Sequence, residues 1–415
     1  MTAKRDIVIA GGGMVGISLA LQLAATLPST CGITLVEGFA LPPPAPGGKP
    51  EYHPAFDARS TALSYSTRII YENMGIWGDL EQRLCPIETI HVSNRGRFGS
   101  SLLKAAEYDW PALGYVVENA WLGNSLIQHL HQQSRVELIC PATVTGARPE
   151  GDGLVLTLEG GDEQCLEAGL LVVADGAGSG LRDALGVAVS EKPYRQQALV
   201  ANVAFARPHR GCAYERFTDE GPLALLPLPG IAGAECRASL VWTLPPDRAA
   251  ILQACEEAQF LEELQDRFGY RLGRLSQAGE RHAYPLSLRE STEQVRHGVV
   301  VMGNAAHALH PVAGQGYNLA MRDVFELSRV LDEALRAGEP VGSLSVLQRY
   351  SSRQDADQQR TIAMSDLLPG LFMVSDPVVG LARDLLLAGL DIAAPVKRRF
   401  VQYAAGVAAL EEAHG

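Results

Sequence analysis

The chain has 415 residues, of which 47% are apolar and 42 are glycine. That length exceeds a single-core domain, and the glycine excess suits an α/β enzyme with many tight turns and close backbone approaches. Lys and Arg number 35 against 47 Asp and Glu, a net charge of −12, so no basic footprint for nucleic acid is present.

No Gly-X-Y period, sustained heptad or long polar tract occurs, which excludes collagen-like, coiled-coil and wholly disordered chains. Seven cysteines, at 31, 85, 140, 165, 212, 236 and 255, form no C-x-x-C and leave one over from any complete pairing. Reduced thiols in a cytoplasmic compartment are expected, with neither a disulfide scaffold nor a structural metal site. The N-terminus carries no secretory pattern. No apolar run reaches 18 residues, so a spanning helix is not expected, although attachment at a membrane surface stays open.

Residues 6–10, DIVIA, read as a buried parallel strand. Gly11, Gly13 and Gly16 then fill G-x-G-x-x-G, with Met14 and Val15 between the last two. Residues 17–27 have helix-forming composition, 33–36 (ITLV) form a second strand, and Glu37 closes it. Gly11 permits the tight turn, Gly13 lets the backbone approach a pyrophosphate, and Gly16 lets the helix pack on the strand. The helix N-terminus offers N–H groups to phosphates, and the Glu37 carboxylate can accept both hydroxyls of an adenosine ribose. The alternative is a tight structural turn. The motif does not separate FAD from NAD, but Glu37 disfavours a 2′-phosphate.

Residues 40–55 are rich in Pro and Gly and read as a loop. Residues 110–140 carry a helical pattern and the short strand VELIC, and 151–168 alternate as a hairpin turning near Gly160–Gly161. A buried-strand pattern at 169–174 runs into DGAGSGLR, with Asp175 at the strand end; alone, this is compatible with an ordinary strand–turn–helix corner. Between 194 and 245 four strand candidates suggest an antiparallel sheet. Its Tyr214, Phe217, Leu225, Pro227 and Trp242 are either pocket wall or core. Residues 249–277 read helical. A third strand pattern at 298–302 runs into GNAAHALHPVAGQGYN, followed by a helix over about 317–337.

The three glycine motifs, GGGMVG at 11–16, DGAGSGLR at 175–182 and GNAAHALHPVAGQGYNLAMRD at 303–323, frame most of the chain. In this order they resemble the FAD-dependent aromatic hydroxylases of the p-hydroxybenzoate hydroxylase fold. FDARSTALS at 56–64, Asn304 where many relatives carry Asp, and PVKRRF at 395–400 are more similar to the ubiquinone-biosynthesis hydroxylases. Among those, the resemblance is to the 2-polyprenyl-6-methoxyphenol hydroxylases.

This resemblance implies an α/β, Rossmann-like FAD-binding domain interleaved with an α+β antiparallel-sheet substrate domain. Residues 1–80, 110–184 and 291–350 would form the FAD part, 81–109 and 185–290 the substrate part, and 351–415 a helical C-terminal region. It implies FAD as resident cofactor, held by Gly11, Gly13, Met14, Val15, Gly16, Glu37, Arg59, Asp175, Gly303, Asn304, Pro311, Gly314, Gln315, Gly316, Tyr317 and Asn318. NADH or NADPH would visit as reductant and O2 would supply the inserted oxygen. The substrate would be a polyprenyl-phenol, in a pocket that excludes bulk water. Arg59 takes a cofactor or gating role, against the alternative of a surface ion pair with Asp57. His307 and His310 are candidate acceptors of the phenolic proton, or they order the flavin loop; no acid or cysteine cluster makes them metal ligands.

The tail is expected to break into short helices at Pro369, Pro377 and Pro395. Its Lys397, Arg398 and Arg399 beside Phe400 suit either an anionic bilayer surface or a hairpin packed on the FAD domain. A peripheral position at the inner face of the cytoplasmic membrane, and an assembly with other enzymes of ubiquinone synthesis, are expected by resemblance. The alternatives are a hydroxylase of another or soluble phenol, a prenyl reductase, and an FAD-bound scaffold subunit without catalysis.

Overall fold

A computed structural model of the chain describes residues 5–44, 52–96, 100–309, 314–373 and 394–407. The opening apolar run forms β1 (Arg5–Ala10), whose Ile7, Val8 and Ile9 are wholly buried, as a strand covered on both faces must be. Parallel neighbours flank it, β2 (Ile33–Val36) on one side and β11 (Cys165–Val173) on the other. β8 (Val136–Ile139) and β19 (Val299–Val301) extend the parallel set outward, and β18 (Val295–Arg296) closes one edge antiparallel. β9 (Thr143–Glu150) and β10 (Gly153–Glu159) return antiparallel onto the start of β11, the hairpin that the alternation of 151–168 predicts. One face packs on α1 (Met14–Thr26), α4 (Asn119–Gln132), α8 (Gln315–Arg336) and the start of α9 (Leu344–Met373). The other packs on the β9–β10 hairpin and α5 (Gly180–Ala184). The loops after β1, β2, β11 and β19 all open at the carboxyl edge of this sheet, where ligands sit in such folds.

A second sheet of nine strands runs β20 (His307–Ala308), β17 (His282–Ser291), β12 (Val189–Phe205), β15 (Arg237–Leu244), β14 (Pro222–Leu228), β13 (Cys212–Phe217), β5 (Thr89–Asn94), β6 (Ser100–Lys104). β16 (Leu275–Ala278) pairs beside β12. Every pairing is antiparallel except β13 with β5. α6 (Pro246–Ala254) and α7 (Glu257–Phe268) cover one face, burying Leu199, Leu225, Leu240 and Trp242. The helical reading of 249–277 therefore ends early: Gly269, at φ +88°, closes α7, and the chain turns into β16.

The residues read as pocket wall sort by strand face. Leu225 and Trp242 are 1% and 0% exposed beneath α6 and α7. Tyr214 puts its ring edge on Phe268, and Pro227 pairs with Ala238 of the same core. Of the five, only Phe217 lies on the opposite face. Runs apolar on both faces carry no alternation from which a face can be read.

A third, three-stranded sheet, β3 (Ser60–Ser64), β7 (Gly114–Glu118) and β4 (Cys85–Ile87), packs Cys85, Ile87 and Val116 against Ala213 and Leu228 of the second. α2 (Tyr65–Asn73) and α3 (Trp77–Leu80) follow β3. In the tail, Pro369 does not divide the chain: α9 runs through it to Met373, the last described residue before Ala394. Pro377 lies outside the described residues, and Pro395 sits at the start of α10 (Ala394–Ala404), where its missing N–H is not needed. Lys397 is buried, donating to the Leu102 carbonyl at 2.7 Å and pairing with Glu107 at 3.1 Å, whereas Arg398 and Arg399 are exposed. Among the described residues no helix is long and apolar enough to cross a membrane.

Candidate active site

The first loop divides its glycines between packing and opening. A Cβ on Gly11, which sits at φ +112°, would lie 2.6 Å from the Ala174 carbonyl oxygen, and one on Gly16 would lie 1.8 Å from that of Gly11. These two close the loop onto β11 and α1. A Cβ on Gly13 would meet nothing within 4 Å, so its backbone borders open space. Gly13 also starts α1, whose first turn, including Met14 and Val15, has no side-chain cap and no acid, leaving its N–H groups for an anion. Glu37 ends β2. Its Oε2 accepts the Gly12 N–H at 2.5 Å and its Oε1 the Phe39 N–H at 2.9 Å, which orients the carboxylate at the loop and leaves lone pairs for ribose hydroxyls.

The second and third motifs lean on the first. Asp175 lies beside Gly11 and accepts the Leu181 N–H at 3.4 Å. Ser179 caps α5, and the buried Arg182 reaches from that turn to the Ala305 carbonyl at 3.0 Å. Gly303, at φ +59°, would put a Cβ 3.2 Å from Val15, so the third loop lies against the first, with Asn304 exposed beside it.

His307 turns inward. It is 2% exposed, and its Nε2 lies 3.1 Å from Asp323 Oδ2, inside ion-pair range but off the hydrogen-bond axis. Asp323 Oδ1 in turn accepts from Gln358 at 2.8 Å. That placement suits ordering of the loop. His310 and Pro311 lie outside the described residues.

At the N-terminus of α8 the side chains build the loop rather than line it. Gly314, at φ +61°, would bring a Cβ to 3.1 Å from Ala62. Asn318 Oδ1 accepts from Ser64 N and Thr67 Oγ1, each at 2.8 Å, while Nδ2 donates to the carbonyls of Ala62 and Gly314 at 2.9 and 2.8 Å. Gln315 donates to the Ala404 carbonyl of α10 at 3.1 Å. The Tyr317 hydroxyl bonds that of Tyr71, which meets Ser18 Oγ at 3.0 Å; Ser18 donates to the Met14 carbonyl in the first turn of α1. Burial pushes Tyr317 up to about 12 and Tyr71 well above its ordinary value, so both stay neutral. Among the described residues nothing lies within 4 Å of a Cβ on Gly316.

Arg59 is exposed, its guanidinium 3.4 Å from the Tyr284 hydroxyl. The ion pair with Asp57 does not form. Asp57 instead accepts the Glu280 N–H at 2.8 Å. Two side chains whose role is invisible in the sequence hold this segment. Asn202 Nδ2 donates to the Phe56 and Ala58 carbonyls at 2.6 and 2.7 Å, and Arg237 donates to that of Ala55 at 3.0 Å and to the Glu118 carboxylate. Arg237 and Glu118 are 1% and 3% exposed, a buried pair joining the second sheet to the third.

Comparison with known proteins decides the family. A model of an FAD-binding domain matches residues 48–365, and the ubiquinone hydroxylase UbiL of Rhodospirillum rubrum is 35% identical over 403 residues, 97% of this chain and 89% of that protein. The chain belongs to the FAD-dependent aromatic monooxygenases. Within them it is related to the ubiquinone-biosynthesis hydroxylases; the 3-demethoxyubiquinol 3-hydroxylase of Escherichia coli is 33% identical, with 97% of this chain and 98% of that protein covered. The fold matches that of a p-nitrophenol 4-monooxygenase from Pseudomonas putida, at TM-score 0.76 and 18% identity over 98% and 99% of the two chains. FAD is therefore the resident cofactor of this monooxygenase and NAD(P)H its reductant. The residues present fit FAD. The Gly11–Gly16 loop precedes the matched segment and independently offers an uncapped helix end, open space at Gly13 and a carboxylate at Glu37, while Gly316 leaves room beside the third loop.

Proposed function

We propose that this monooxygenase hydroxylates the aromatic ring of a polyprenyl-methoxyphenol intermediate of ubiquinone biosynthesis, using NADH or NADPH and O2. Full-length similarity to two ubiquinone-ring hydroxylases carries this reading. Bound FAD supplies electron transfer from the nicotinamide and activation of oxygen. The protein supplies position and dryness. The Gly11–Gly16 backbone and the α1 N-terminus hold the pyrophosphate, and Glu37 the adenosine ribose. Asn304 would bond a ribityl hydroxyl, giving a donor and an acceptor without added charge, and Asp175 and Gly303 would contact the cofactor from the second and third motifs. Backbone N–H groups of 315–318 and the α8 N-terminus would offer hydrogen bonds and a positive dipole end to the negative charge that reduction places on the flavin. Arg59 gates the junction with the substrate sheet.

The boundaries set out above are proposed for the FAD part, the substrate part and the tail. Exposed Arg398 and Arg399 give a contact for anionic lipid at the inner face of the cytoplasmic membrane, where a polyprenyl substrate dissolves and where partner enzymes of the pathway would meet it.

The test is mass analysis after incubating FAD-loaded protein with NAD(P)H, O2 and a short-chain prenyl-methoxyphenol, in parallel with a demethoxyubiquinol analogue. Gain of one oxygen in the first supports the proposal, and gain only in the second moves the ring position. Lack of insertion into either defeats it.

A further inference from the structure

The two faces of the nine-stranded sheet differ in a way that ordinary packing does not require. On one, Leu199, Leu225, Leu240 and Trp242 are wholly buried under α6 and α7. On the other, the register aligns Val92, Glu215, Ala224, Val241 and Val200 across five adjacent strands, and all five are only half-buried in the middle of the sheet. The neighbouring row of this face, at Ala213, Leu226 and Leu228, is closed by Cys85, Ile87 and Val116 of the third sheet. The face also carries Asn202, which holds the Phe56–Ala58 backbone, so it looks toward Arg59 and the FAD loops. A half-open apolar row bounded in this way is the floor of a cleft.

Glu215 is the single ionisable side chain between Val92 and Val200 in that row. Among the described residues its carboxylate has neither a hydrogen bond nor an ion pair. The charged neighbours on its own and the adjacent strand point to the other face: Arg216 donates to the Arg267 carbonyl at 2.8 Å, and His91 stacks toward Tyr214. An acid on an apolar floor with no partner opposes folding, which favours a role toward a ligand.

We propose that Glu215 accepts the proton of the substrate's phenolic hydroxyl; this rests on the phenol-hydroxylating reading above. The proton passes from the phenol oxygen to a carboxylate oxygen of Glu215. The electron pair of the broken O–H bond stays on the ring as phenolate, which raises the electron density of the carbon that receives oxygen. The neutral acid gives the proton back as product leaves, so none is consumed and no further oxidant is required. Burial alone, without a charged neighbour, pushes the carboxyl up to about 7, the range in which a base operates near neutral pH.

The experiment compares FAD-loaded wild type, Glu215→Gln and Glu215→Asp. Product formation from the prenyl-methoxyphenol is followed across pH, together with binding of 2-methoxy-4-nitrophenol, whose phenolate absorbs visibly. Glu215→Gln is expected to keep FAD and its absorption spectrum. It should lose hydroxylation by roughly 100-fold, lose the acid limb of the profile, and recover most of the rate with a phenol already ionised in solution. Glu215→Asp, retaining a carboxylate, should keep the limb at a lower rate. Wild-type product formation with an unchanged rate and profile in Glu215→Gln would overturn the inference and leave the proposed function standing. If wild type hydroxylates no phenol, the function falls, and the nitrophenol decides on the residue: equal ionisation on wild type and Glu215→Gln refutes it. If Glu215→Gln does not fold, an acid limb missing from Glu215→Asp refutes it.

Discussion

At the scale of single residues, open space separates ligand positions from packing positions. Among the described residues nothing lies within 4 Å of a Cβ on Gly316, so with the cofactor placed as proposed Gly316→Val should leave the fold intact and intrude on FAD. The expected outcome is an unfolding midpoint within about 0.5 kcal/mol of wild type, with FAD affinity or flavin reduction down at least about tenfold. Equal retention of FAD on gel filtration and equal reduction would count against the loop's placement. Glu215 makes an opposite prediction for stability. Its carboxyl is raised from 4.5 to about 7 in the folded state. Below pH 4.5 the group is neutral folded or unfolded and carries no penalty. Stability falls as pH rises from 4.5 to 7, because only the unfolded state ionises freely, and the loss is complete above 7. Glu215→Gln should match wild type near pH 4 and exceed it at pH 8 by on the order of 1 kcal/mol in urea melts.

At the scale of elements, Asn318 joins the start of α8 to β3 and α2 with four hydrogen bonds. Asn318→Ala strands Ser64 N and the Ala62 carbonyl and should cost about 2–4 kcal/mol, with weaker FAD binding as the loop loosens. Asn318→Asp keeps the acceptor for Ser64 N and Thr67 Oγ1 but turns a carboxylate oxygen onto the Ala62 and Gly314 carbonyls, so it should lose at least as much on the same thermal scan. These elements also mark what the sequence could reveal. Strand, glycine loop, helix, second strand and Glu37 are contiguous within 33 residues, so one local pattern defines them. The side-chain task of Asn318 was hidden, because its partners lie about 250 positions earlier. Glu215 was hidden for a different reason: in CAYERFT an acid beside Arg and Tyr reads as solvated edge, and only the pairing of five strands shows that it stands on an apolar row. The helix through Pro369 was missed because a proline lowers helix propensity without forbidding a helix that its neighbours continue.

At the scale of the molecule, Arg237 and Glu118 join the second and third sheets through a buried ion pair. Glu118→Gln leaves a guanidinium dry and uncompensated, and is expected to lose about 3–5 kcal/mol, read as a lowered urea midpoint. Replacing the pair together by Met and Leu should restore most of that loss, which distinguishes an unpaired charge from lost packing. The three-motif architecture was legible because each loop announces itself by glycine. The joint between the sheets was not, because nothing local ties Arg237 to a residue 119 positions away.

The order of strands in the first sheet bears on how the chain is born. β11 lies between β1, made first, and β19, whose residues 299–301 come nearly 300 positions later. β11 ends at Val173, 126 positions before Val299, so at ribosomal rates of about 5–20 residues per second roughly 6–25 s pass between emergence of β11 and β19. Throughout that interval the apolar Leu170–Val173 edge of β11 waits for its neighbour, and the third loop, against which the proposed nucleotide site closes, has not been translated. Nascent chains arrested before residue 299 should accordingly recruit chaperones and fail to take up flavin, and release past residue 336 should relieve both together.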